Sequence, residues 1–95
     1  MNDLNYAVPP GAYLEEWMEH YDVSDQKIAA RTQRSVEEIR RVINGLTPVT
    51  PDLAEALQRV TGIKAEAFLL YEDFYSRELA RLGLRRGESA PSEMD

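Results

Sequence analysis

The sequence has no cysteine, one histidine and one tryptophan in 95 residues. Without thiols there is neither a disulfide framework nor a thiolate zinc site, a usage that fits a reducing cytoplasm. A lone histidine, no glycine-rich phosphate loop and no nucleophile placed beside a base leave no constellation for acid–base or covalent chemistry. The sequence therefore predicts no enzyme, no catalytic residue and no cofactor. Glu16 and His20 stand one turn apart, but two ligands are too few for a metal, and a solvated acidic face is the ordinary outcome. No stretch approaches the roughly 20 apolar residues of a membrane span, and the opening MNDLNYAVPPG has neither a basic n-region nor a long apolar run, so no membrane partner is expected.

What is present is a hydrophobic content of 43%, enough for one small core and too little chain for two domains. Residues 1–8 lack periodicity and read as an arm, with Leu4 and Tyr6 able to dock. A domain should span residues 9–82, and the polar tail from Gly83 to Asp95 has no apolar period, for which disorder is the default. Five helices are predicted inside the domain. Pro9 and Pro10 fit the start of the first, with Leu14, Trp17, Met18 and Tyr21 as its apolar stripe. Ser24 caps the second, which carries Ile28, Ala29 and Thr32 inward and ends at Gln33 and Arg34. Ser35 and Glu38 form a capping box for the third, where Ile39, Val42 and Ile43 follow at helical spacing until Asn44 and Gly45 close it. Thr50 caps the fourth, with Pro51 at its first position, Leu53, Ala56, Leu57 and Val60 as its buried stripe and Gly62 at its end. The fifth should run from about Ala65 to Leu82.

That fifth helix is apolar over too wide an arc for packing on one domain alone. Phe68, Leu69, Tyr71, Phe74 and Tyr75 are its candidate dimer interface, a symmetric homodimer being the simplest closure. The alternative is a helix buried wholly within one chain.

The stretch Val23 to Leu46, VSDQKIAARTQRSVEEIRRVINGL, places two short helices around a tight turn. Helices so joined must cross steeply and leave the outer side of the second one available for a groove, the pattern of a helix-turn-helix. Charge is segregated in the same place. The chain carries a net charge of −6, yet residues 23–46 hold five bases against three acids, while the remainder holds six against fourteen. The one positive segment of an acidic chain is the candidate double-stranded DNA interface.

Pro10 and Gly11 with Leu14, then Ser24, Ala29, Arg31, Thr32, Ser35, Ile39, Asn44, Gly45, Pro51, Leu53 and Ala54, and finally Glu66, Phe68, Leu69 and Tyr75, resemble the HigA-type antitoxins of the XRE, lambda-repressor-like helix-turn-helix family. The resemblance covers roughly residues 8–80 and rests on the ordered set, no single motif being decisive. It implies an all-α, five-helix lambda-repressor-like domain that dimerises through its C-terminal part and binds a palindromic operator. It also implies a repressor of its own operon that neutralises a RelE-like ribonuclease toxin. Three positions depart from the family pattern. Asp25 replaces a glutamine that touches the DNA backbone or a base edge, Gln33 replaces the turn glycine, and Arg34 replaces an apolar turn residue. The family's base-reading positions fall on Val36, Glu37 and Arg41, with Arg40 beside them.

In such a domain affinity comes mainly from phosphates and sequence choice from a few side chains at base edges. Arg40 and Arg41 are expected to grip guanine, Val36 to meet a thymine methyl, and Glu37 to accept from cytosine N4 while repelling phosphate. Gln26, Lys27, Arg34, Ser35 and Thr47 are the candidates for backbone contacts. Asp25, Glu37 and the acidic remainder favour a second reading, a protein-interaction module on the same fold with weakened or lost DNA binding.

Overall fold

The computed structural model describes residues 8–86, and over them the chain is five helices: α1 Pro10–Tyr21, α2 Asp25–Thr32, α3 Val36–Ile43, α4 Pro51–Thr61 and α5 Ala65–Leu82. The polar residues flanking them set the starts. The side chain of Ser24 accepts from the Lys27 amide at 3.2 Å, Ser35 from the Glu38 amide at 3.0 Å and Thr50 from the Leu53 amide at 3.3 Å. Each satisfies a donor that the helix itself leaves unpaired, at about 1 kcal/mol apiece. Pro10 and Pro51 stand at first helical positions, where a missing amide costs nothing.

The ends share a device. In α1, α2, α3 and α5 a residue past the terminus donates its amide back to a carbonyl five residues earlier: Val23 to Met18 at 2.9 Å, Arg34 to Ala29 at 2.9 Å, Leu46 to Arg41 at 2.8 Å and Leu84 to Leu79 at 2.9 Å. This closure needs a left-handed residue just before the donor. Gly45 and Gly83 supply it, but in α1 and α2 it falls on Asp22 at φ 57° and on Gln33 at φ 60°. At Gln33 the conformation costs about 1 kcal/mol relative to glycine, and the two carbonyls that the turn satisfies offset it. The turn thus keeps the geometry that glycine would give.

The core lies where the five apolar stripes converge. Leu14, Ile28, Ile39, Leu53, Leu57 and Phe68 are fully buried, one or more from each helix. At about 1.5–3 kcal/mol for each large side chain removed from water, they hold the bundle together. α2 packs on α3 and α4, α1 on α3 and α5, and α4 on α5. Stacking of Tyr13 on Tyr71, with ring centroids 3.9 Å apart, adds a second tie between α1 and α5. Gly11 allows the backbone of α1 to lie directly on the last turn of α3, where no side chain would fit.

Two expectations need correction. The wide apolar arc of α5 divides: Phe68 and Tyr75 lie inside the chain's own core and have no surface for a second copy, while Leu69 and Tyr71 are half-buried against it. Leu70 and Phe74, at 52% and 55% exposure, are the large apolar residues of α5 left outside. The start of the C-terminal tail is also engaged: Leu84 packs on Tyr75 and Leu79, and Arg86 pairs with Glu72. The expectation of disorder fails for residues 83–86 because Leu84 has an apolar niche and Arg86 a charge partner. The rest of the tail, expected to be disordered, and Leu4 and Tyr6 of the arm, expected to be able to dock, lie outside the described residues.

Candidate nucleic-acid interface

α2 and α3 are short because the polar sequence Gln33-Arg34-Ser35 ends one and caps the next, and their inward residues Ile28, Ala29, Ile39 and Val42 pin them on the core. With Ile39 and Val42 buried, the period of 3.6 puts Glu37, Arg41 and Asn44 on the opposite side of α3, and all three are exposed. That side is the element free to enter a groove. Arg41 is held in place there: its Nε donates to the Thr47 hydroxyl at 3.3 Å, and its own carbonyl accepts from the Leu46 and Thr47 amides. In the sequence Asn44 signals only a helix terminator. Its spacing of three from Arg41 and seven from Glu37 was the available sign that it shares their side of the helix, and an asparagine there has the donor and acceptor to read adenine.

The other candidates fall into different surroundings. Gln26 and Lys27 are exposed on the first turn of α2, and Arg31 is exposed one turn on from Lys27. Ser35 is exposed with its hydroxyl accepting from the Glu38 amide, and Thr47 is half-buried against Arg41. Val36 is half-buried and packed on the core, so only part of it remains for a base methyl. Arg34 donates to Glu38 Oε2 at 2.8 Å. The capping box is therefore half formed: the Ser35 hydroxyl caps, but the Glu38 carboxylate takes the guanidinium instead of returning to Ser35.

Arg40 departs most from expectation. Its Nε donates to Asp25 Oδ2 at 2.6 Å, joining the start of α2 to the flank of α3. The pairing engages the Arg40 guanidinium with the start of α2, beside Asn44, and leaves Arg41 as the α3 arginine with no carboxylate partner among the described residues. It also answers the question raised by Asp25, since a carboxylate that would face phosphate unopposed has a cation against it. The Arg40 guanidinium, by its hydrogen bond first and its charge second, holds the Asp25 carboxyl below the usual carboxylate range, and the pair therefore persists through neutral pH. Of the five bases in residues 23–46, two are paired with carboxylates and Lys27, Arg31 and Arg41 carry the remaining positive field.

No protein-family profile and no curated protein matches the sequence. Solved structures do match the fold. A Pseudomonas aeruginosa antitoxin HigA, determined with the higBA promoter, superposes with a TM-score of 0.74 over 80% of this chain and 84% of that one, at 21% identity. A HigA-family addiction module antidote protein from Coxiella burnetii gives 0.67 over 78% and 84%, at 26% identity. A further structure from Pseudomonas aeruginosa, of a protein in complex with its 18-base-pair operator DNA, gives 0.74 over 83% and 86%, at 19% identity. The chain has the five-helix, helix-turn-helix fold of the HigA-type antitoxins, as the resemblance implied.

Proposed function

We propose that this HigA-like chain is an operator-binding transcriptional repressor, acting as a homodimer on a palindromic site, and the antitoxin of a HigBA-type module that autoregulates its operon and neutralises a RelE-like ribonuclease toxin. The observation that carries the reading is the outer side of α3, where Arg41 and Asn44 stand exposed on a helix pinned by its inner side. Two similarly folded structures were solved with promoter or operator DNA, which supports the same use of that helix here. In this reading Lys27, Arg31 and Thr47 meet phosphates while Arg41 and Asn44 select bases. A gel shift against the protein's own upstream region, repeated over a range of salt, tests it: binding should fall steeply as counterions compete for the phosphates. No shift at micromolar protein would overturn it and leave the second reading, a protein-interaction module. That second reading draws on the Asp25–Arg40 and Arg34–Glu38 pairs, which take two of the five motif cations out of the field.

For the dimer, Phe74 is kept from the five residues first expected and Leu70 joins it, while the buried Phe68 and Tyr75 drop out. They stand one turn apart on α5, and Phe74 borders a groove with Val8, Tyr13 and Tyr71. Two apolar side chains of this size on a small surface, continuous with an aromatic groove, favour association with a second copy by a two-fold axis. Wild type should elute as a dimer at high concentration and Phe74→Glu as a folded monomer. A wild-type monomer under the same conditions would sink the dimer.

A further inference from the structure

One polar cluster lies away from the outer side of α3 and is not used by it. Glu72, on α5, accepts the Val49 amide on Oε1 at 3.1 Å, and its Oε2 pairs with Arg86 Nη2. The same guanidinium donates through Nη1 to the Gly45 carbonyl at 3.3 Å and covers the Tyr75 ring at 5.1 Å. Both side chains are largely shielded, at 25% exposure for Arg86 and 17% for Glu72. The segment 45–49 that follows the third helix is thus gripped at both ends, its first carbonyl by Arg86 and its last amide by Glu72. Its middle holds Thr47, whose hydroxyl accepts from Arg41 Nε.

We propose that Glu72 and Arg86 are positioning residues for DNA reading: by clamping segment 45–49 they fix Thr47, and through Thr47 the guanidinium of Arg41. The middle of α5 and the segment that follows it are thereby mechanically joined to the exposed side of α3, although 41 residues separate Arg86 from Gly45. A guanidinium left to sample many rotamers loses selectivity sooner than it loses phosphate attraction, because two-pronged contact with guanine needs a fixed plane and charge attraction does not. The joint rests on the operator-binding reading for its consequence, but its physical content can be read in the free protein.

The test compares wild type with Arg86→Ala, with Glu72→Gln, which keeps an acceptor for the Val49 amide, and with Arg59→Ala, which removes one exposed cation elsewhere. In the free protein, Arg86→Ala should speed amide exchange of residues 45–49 at least tenfold and broaden or shift the Arg41 Nε–H resonance, with Glu72→Gln intermediate and Arg59→Ala like wild type. With the upstream duplex, Arg86→Ala should weaken operator binding about five- to tenfold and lower the preference over a scrambled duplex, leaving the salt dependence unchanged. A slope lower by about one would mean that Arg86 itself touches phosphate and would overturn the positioning role. Unmoved 45–49 amides and an unmoved Arg41 signal would overturn it without reference to DNA. A freed segment with unaltered operator selectivity would overturn it as well. If wild type binds no duplex, the operator-binding reading fails and the consequence for selectivity fails with it, while the exchange and Arg41 readouts still decide the clamp.

Discussion

Gly11→Ala is expected to lower the melting temperature by roughly 10–20 °C. A Cβ at this position would lie 2.1 Å from the Val42 carbonyl oxygen and 2.4 Å from the Ile43 Cα. Both are backbone atoms of the last turn of α3 and cannot swing aside as a side chain would. Two effects oppose each other. Alanine in a helix is favoured over glycine by up to about 1 kcal/mol, less near a terminus, whereas forcing two packed backbones apart costs about 2–4 kcal/mol. The clash wins, and its relief requires α1 to back away from α3, the helix proposed to enter the groove. Thermal unfolding by circular dichroism measures it, and a melting temperature equal to or above wild type would show that α1 and α3 do not approach this closely.

Arg41→Ala and Asp25→Asn should move operator affinity in opposite directions. The Arg41 guanidinium stands at the centre of the exposed side of α3, and in the proposed reading its loss would remove a two-pronged base contact together with one charge. A binding loss of about 10- to 100-fold follows, concentrated on the cognate sequence. Asp25→Asn removes a carboxylate from the edge of the same surface and releases Arg40, which it holds at 2.6 Å. Repulsion of phosphate declines and one cation returns to the field, so affinity should rise about three- to tenfold at low salt with a salt slope steeper by about one. Folding should change little, since an exposed ion pair contributes a small fraction of a domain's stability. Titration of a labelled upstream duplex at two salt concentrations measures both variants. Weaker binding by Asp25→Asn would mean that the carboxylate aims Arg40 at the DNA instead of withholding it.

Helix limits were legible in the sequence because their causes are local. Ser24, Ser35 and Thr50 cap within three residues of themselves, Pro10 and Pro51 mark first turns, and Gly62 and Gly83 mark last ones. The identity of the second and third helices as a helix-turn-helix followed from the same short-range chemistry. What could not be read depends on groups brought together from afar. Asp25 and Arg40 are 15 residues apart, and no spacing rule links them. The Arg34–Glu38 pair was within reach of an i, i+4 reading, but the capping box gave Glu38 a competing and sufficient explanation. Gly11 entered only through the family resemblance, because its need for space is set by α3, about thirty residues on. The arc of α5 shows the limit of periodicity most plainly: it registered that too many sides were apolar, but only packing could separate Phe68 and Tyr75, which face inward, from Leu70 and Phe74, which do not.

The division of α5 into an inner and an outer set of side chains bears on how such a molecule would sense its own abundance. Because Phe68, Tyr75 and Leu79 are covered by their own chain, a single copy need not unfold, and the pairing proposed through Leu70 and Phe74 would be reversible on its own. Where a site requires two copies and pairing is weak, its filling scales with the square of the supply, so halving the supply empties it about fourfold. A threshold on dosage would then arise from one helix having two sides, with no sensor added.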